Sequence, residues 1–227
     1  MSKLSKKPGI IVALDIKNID FALNLAKEID KAKGNYALKI GRPLEMQGGK
    51  SIISKIKEVS NIPLIYDGKI ADIPFISSEI AEIAYEAGAD AVIMHSFVGS
   101  DVIKEIINLN MGDVITVVEM THPGAVEYYQ HYSEKMAEAA LKLGVNGIVL
   151  PATRPERVKK LSKLISDSIY IISPGIKAQG AKPGDAIING ADYEVVGRAI
   201  YESEEPRKTA EALYQEIIER KRLTLNF

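Results

Sequence analysis

Eight short apolar runs, each followed by a longer segment of helical periodicity, recur along the 227 residues of this chain and limit what it can fold into. The runs occupy residues 9–15, 36–40, 63–67, 91–95, 114–119, 147–150, 170–173 and 193–196. Most are apolar along their length instead of alternating, the pattern of strands buried on both faces of a parallel sheet. Between them, residues 20–31, 49–59, 77–87, 100–109, 133–143 and 154–165 carry helical spacing, with Gly34, Gly88 and Gly144 placed to cap three helices. Eight such strand–helix units predict an α/β fold, a single-domain (β/α)8 TIM barrel over residues 1–227, close to the ~250 residues such barrels take. An open doubly wound sheet is the other arrangement of these units, but no G-x-G-x-x-G follows the first run. Neither a linker nor a low-complexity stretch divides the chain.

Composition narrows the chemistry. There are 29 Lys and Arg against 30 Asp and Glu, a net charge of -1, which gives no electrostatic footprint for nucleic acid or an anionic membrane. Any bound anion must therefore be held locally. The absence of Cys removes disulfides, thiolate nucleophiles and Cys-ligated metal sites. His95, His122 and His131 are too few and too scattered for an obvious metal cage. The first apolar run follows basic residues but ends at Asp15, short of the ~7–15 residues of a secretory signal, and no run approaches the ~20 residues of a membrane span. A cytoplasmic protein is expected.

In a barrel of this kind, chemistry is carried at the C-terminal ends of the strands, and here those ends are polar. Asp15, Lys39, Asp67 with Lys69, His95, Glu119 with Thr121, Ser173 with Pro174, and Gly197 with Arg198 close seven of the eight runs. Each alone reads as a helix cap or surface charge. Eight parallel strands, however, aim them all at one mouth. The densest group is Tyr66 to Pro74, YDGKIADIP. If the strand continues, period-2 spacing puts Asp67 and Lys69 on one face, with Asp72 beyond them in the loop. A lysine between carboxylates keeps its proton, which suits a proton donor and not a Schiff-base amine. An exposed salt bridge, worth only ~0.5 kcal/mol, is the bland alternative. Ile65, Ile70 and Ile73, interleaved with the charges, argue against it.

After the seventh run comes a Gly-rich loop, SPGIKAQGAKPG over 173–184, and after the eighth the pair Gly197–Arg198. Loops after strands seven and eight of a barrel frequently hold phosphate, Gly197 admits close approach to a backbone N–H, and Arg198 offers a planar fork. A phosphorylated small molecule is the expected ligand.

Taken together, ALD (13–15), LKIGRPL (38–44), DGKIADIP (67–74), EMTHPGA (119–125), PATRPER (151–157), SPGIKAQG (173–180) and VGRAIY (196–201) resemble the orotidine 5'-monophosphate decarboxylases, particularly the short microbial and archaeal kind, along nearly the whole chain. The D-x-K-x-x-D element is shared with related barrels such as hexulose-phosphate synthases; with the Gln-bearing loop and the Gly-Arg pair in order it is far more specific. The resemblance implies decarboxylation of orotidine 5'-monophosphate to uridine 5'-monophosphate, the last step of pyrimidine nucleotide synthesis, without cofactor or metal. It implies Lys69 as proton donor and Asp67 beside the substrate carboxylate. It further implies a charge network of Lys39, Asp67, Lys69 and Asp72 in a homodimer whose partner subunit supplies Asp72 and Ile73. Asp15 and Lys39 would hold ribose hydroxyls, Thr121 the pyrimidine edge, Gln179, Gly197 and Arg198 the phosphate, and Pro174 would line the apolar side. Three departures stand out: Ile76 occupies a position where the family usually has Thr, so either the following Ser77 takes that contact or it is absent; Thr121 stands where Ser is more usual and keeps the hydroxyl; and Gly68, in place of a bulkier residue between Asp67 and Lys69, suggests a local backbone adjustment. A metal-dependent sugar-phosphate enzyme and a non-catalytic nucleotide-binding barrel are the competing readings.

Overall fold

The computed structural model describes residues 4–165 and 167–225, so the ends of the expected 1–227 domain lie outside the described residues. All eight predicted strands form: β1 (Gly9–Ala13), β2 (Tyr36–Gly41), β3 (Leu64–Ile70), β4 (Ala91–His95), β5 (Asp113–Val117), β6 (Gly147–Val149), β7 (Tyr170–Pro174) and β8 (Tyr193–Val196). They pair in parallel in sequence order, and β8 closes on β1. The chain is a closed (β/α)8 barrel.

The covering helices are α1 (Ile19–Asp30), α2 (Arg42–Gly48), α3 (Ser51–Val59), α4 (Pro74–Glu86), α5 (Ser100–Asn108), α6 (Tyr129–Leu143), α7 (Pro155–Ile165), the one-turn α8 (Asp185–Ile188) and α9 (Arg198–Tyr201), and α10 (Pro206–Leu225). Local chemistry sets their starts. The Asn18 side chain accepts the Phe21 N–H at 2.9 Å to cap α1, and Pro74 opens α4 three residues earlier than its periodicity suggests. Gly144 takes the left-handed cap of α6 and Gly88 follows α4 with φ +105°, as expected. Gly34 does not cap α1, whose last turn is closed by Lys31, three residues before it. Sequence reading missed α2, α8, α9 and α10. The last is studded with charge, yet Ala210, Leu213 and Ile217 are buried and seat it on the barrel.

Two apolar layers explain why this sequence closes. Outward-facing strand residues such as Ile10, Val12, Leu38, Ile40, Val92 and Ile148 pack against the helices. The alternate residues point inward. Toward the C-terminal mouth that inner layer reads Ala13 on β1, Lys39 on β2, Asp67 on β3, Ile93 on β4, Val117 on β5, Val149 on β6, Ile172 on β7 and Val195 on β8. Only two adjacent strands contribute charge to this ring.

Candidate active site

A cavity of about 390 Å³ opens above that ring. Asp15, Lys39, Asp67, Lys69, Thr121, Pro174, Gln179, Gly197 and Arg198, nine of the residues singled out in the sequence, line it. Asp72 and Ile73 do not. They lie exposed on the turn before α4, where the Asp72 carboxylate accepts the Ile73 N–H at 2.7 Å.

The charges form a connected row. Lys39 Nζ stands 3.0 Å from Asp67 Oδ2 and 3.4 Å from Asp15 Oδ1, while Lys69 Nζ donates to both Asp67 oxygens at 2.8 Å. Lys39 and Asp67 are buried, at 8% and 7% side-chain exposure, whereas Lys69 reaches into the cavity at 36%. Burial opposes charge on Lys39, but the Asp67 and Asp15 carboxylates outweigh it and raise its pKa above the lysine norm. For Asp67 the same burial penalty is outweighed by the Lys39 and Lys69 charges, and its carboxyl lies below the usual range. Both therefore stay ionised at neutral pH.

Asp67 and Lys69 meet for a different reason than strict alternation. The β3–β4 register shifts between Tyr66 and Ile70, and Lys69 has φ +44°, the left-handed region unusual for a residue with a Cβ. This bulge swings the Lys69 amine back over Asp67. Gly68 makes it feasible, because a Cβ there would sit 2.5 Å from the Tyr66 ring. Ser77, which follows Ile76, is fully buried, and its hydroxyl accepts the Asp72 N–H and donates to the Asp72 carbonyl.

Neighbouring groups at the mouth are structural. Glu119, fully buried, accepts from Arg154 at 3.0 Å and Arg157 at 3.1 Å, and Arg154 also donates to the Met120 carbonyl, fixing the segment that presents Thr121. His95 shares a 2.8 Å hydrogen bond between Nδ1 and the Tyr129 hydroxyl. Burial, aided by the Lys69 charge and opposed by Asp67, pushes its imidazole down to about 4. His95 is thus neutral where Lys39 is charged.

The loop after β7 is an ordered turn. Lys177 N–H donates to the Ala181 carbonyl at 2.7 Å, and Arg198 Nη2 reaches the Ala178 carbonyl at 3.4 Å from α9. Gly175, with φ +114°, lets the chain leave the mouth where a Cβ would press to 2.9 Å on Thr153. Sequence reading missed the apolar wall of Ile93, Val117, Val149, Ile172 and Val195, and also Met120 and Tyr201. The inward alternation near each strand's end carried that signal. Among the described residues, no three His, Cys, Asp or Glu side chains cluster to hold a metal ion.

Fold and site together define a parallel (β/α)8 barrel with a Lys–Asp–Lys row facing an apolar wall. The chain matches the family described as Orotidine 5'-phosphate decarboxylase / HUMPS over residues 8–213, and belongs to it. It is 44% identical over 210 residues to the orotidine 5'-phosphate decarboxylase of Thermococcus kodakarensis, covering 92% of this chain and 97% of that one. The Pyrococcus furiosus protein of the same name is 39% identical over 212 residues, covering 92% and 98%. Among solved structures, the Methanocaldococcus jannaschii orotidine 5'-monophosphate decarboxylase complexed with the inhibitor BMP superposes with TM-score 0.86 at 38% identity, over 93% of this chain and 99% of that one. The Pyrococcus horikoshii enzyme gives 0.85 at 40% identity, over 92% and 99%.

Proposed function

We propose that this chain, as one catalytic domain, converts orotidine 5'-monophosphate to uridine 5'-monophosphate and carbon dioxide. The observation that carries this reading is the Lys39–Asp67–Lys69 row, with Lys69 Nζ held 2.8 Å from both Asp67 oxygens at the edge of the cavity. As the bond from the ring carbon to its carboxylate breaks, the electron pair stays on that carbon and carbon dioxide leaves. Lys69 stabilises the developing negative charge and passes its proton to the same carbon. Asp67 stands beside the departing carboxylate and fixes the Lys69 amine. The wall from Ile93 to Val195 takes the apolar carbon dioxide and excludes water, with Pro174 beside it. Asp15 and Lys39 hold the ribose hydroxyls and Thr121 the pyrimidine edge. Gln179, Gly197 and Arg198 hold the phosphate, whose binding energy is spent on ordering the reacting end.

The test is loss of the orotidine 5'-monophosphate absorbance on adding metal-stripped protein in chelator. Steady turnover is expected. Activity that demands added metal and acts on a ketose phosphate, with none on the nucleotide, would transfer the chain to the metal-dependent reading.

We also read the working form as a cytoplasmic homodimer. No helix among the described residues is long and apolar enough to cross a membrane. Ile73, Phe75 and Ile76 are 63%, 66% and 38% exposed beside Asp72, an apolar patch that a second copy would cover while bringing its Asp72 and Ile73 to this mouth. Sedimentation is expected to show a dimer, and Asp72→Ala to cut turnover more than a hundredfold, roughly the value of a positioned charge. A fully active monomer removes Asp72 from the network.

A further inference from the structure

β8 carries one residue that packing does not explain. Glu194 points away from the barrel interior, is fully buried, and no Lys or Arg pairs with it among the described residues. A buried carboxylate without a counterion is costlier than the Ile or Val that would fill such a position. What meets its charge is backbone: Oε2 accepts the Gly184 N–H at 2.8 Å and Oε1 the Ala186 N–H at 3.0 Å. Gly184 ends the loop that begins at Gly175, and Arg220 holds the same end from outside through the Pro183 carbonyl and, at 2.6 Å, Asp185. Three and four residues beyond Glu194 come Gly197 and Arg198, and Arg198 reaches back to the loop at Ala178.

We propose that Glu194 is a positioning residue for phosphate recognition: through Gly184 and Ala186 it ties the far end of the Gln179 loop to the strand that delivers Gly197 and Arg198, and so fixes the spacing of the two halves of the grip. It touches no substrate atom. The proposal rests on the assignment of that loop and Arg198 to the substrate phosphate.

The experiment measures kcat/KM for the nucleotide and for the same nucleoside without its phosphate, in the wild type and in Glu194→Gln and Glu194→Leu. Assays at about pH 8 keep Glu194 and the substrate phosphate ionised. Glu194→Gln keeps one acceptor and the volume, so it retains the fold if the leucine variant does not. In it the preference for the nucleotide is expected to fall about tenfold, the worth of a charge-assisted hydrogen bond, while the nucleoside's own kcat/KM stays within about twofold. A merely structural role lowers both substrates in parallel, and that result, or an unchanged preference, overturns the proposal. A wild type that shows no preference for the nucleotide overturns the phosphate assignment first and the proposal with it.

Discussion

Lys69→Ala is expected to lower turnover of orotidine 5'-monophosphate by at least about 10⁴-fold while leaving the protein folded. Two effects disappear at once, a preorganised cation beside the carbon that gains charge and the proton that carbon must receive, each worth ~10²–10⁴. Stability changes little because the Lys69 side chain is 36% exposed and the buried Lys39–Asp67 pair at 3.0 Å survives its loss. Lys69→Arg restores charge but not a transferable proton, so it is expected to recover little. Single-turnover absorbance with a parallel thermal melt reads both quantities. Activity within tenfold of wild type would take the proton from another donor.

Asp67→Asn acts on activity and stability together. The substitution strips the principal counterion from Lys39, which is 8% exposed and retains only Asp15 at 3.4 Å. Leaving a buried charge uncompensated costs about 3–5 kcal/mol, a large share of a domain's stability. The pH dependence has a definite sign. The folded-state pKa of Asp67 is lowered, so its contribution is present above the unfolded value of ~3.9 and lost as pH falls through the folded one. The deficit of Asp67→Asn should therefore be full at neutral pH and shrink in acid. Replacing both partners, Lys39→Met with Asp67→Leu, should return most of the stability and none of the turnover. Denaturant midpoints at two pH values decide it; a single mutant as stable as wild type would mean the pair does not anchor the mouth.

The barrel was legible in the sequence because most strand runs are apolar on both faces and recur eight times with helical segments between them, a pattern few folds permit. The positions of Asp67, Lys69 and Arg198 were legible for the same reason, since strand ends converge. One feature was hinted at and two were hidden. Gly68 signals a backbone adjustment between Asp67 and Lys69, but the form of the bulge, with the Tyr66 ring packed against Gly68, follows from no spacing rule. Glu194 sits in YEVV, where a helix-facing carboxylate looks like any alternating polar residue until the loop folds back on it. The helix from Pro206 to Leu225 buries its narrow seam against a barrel that the local sequence does not contain.

The unequal ring of side chains beneath the mouth has a consequence for how a guest enters. Charge on β2 and β3 faces hydrocarbon on β4 to β8, so the floor is a water–oil boundary a few ångströms long, folded into a circle. A flat molecule with one polar and one greasy edge settles there in a single rotational pose. Turned over, it would present its charged edge to Val117 and Val149, away from Lys39 and Lys69, at about 1–3 kcal/mol for each unmet hydrogen bond. The barrel thus works as a compass for its ligand before any bond is broken.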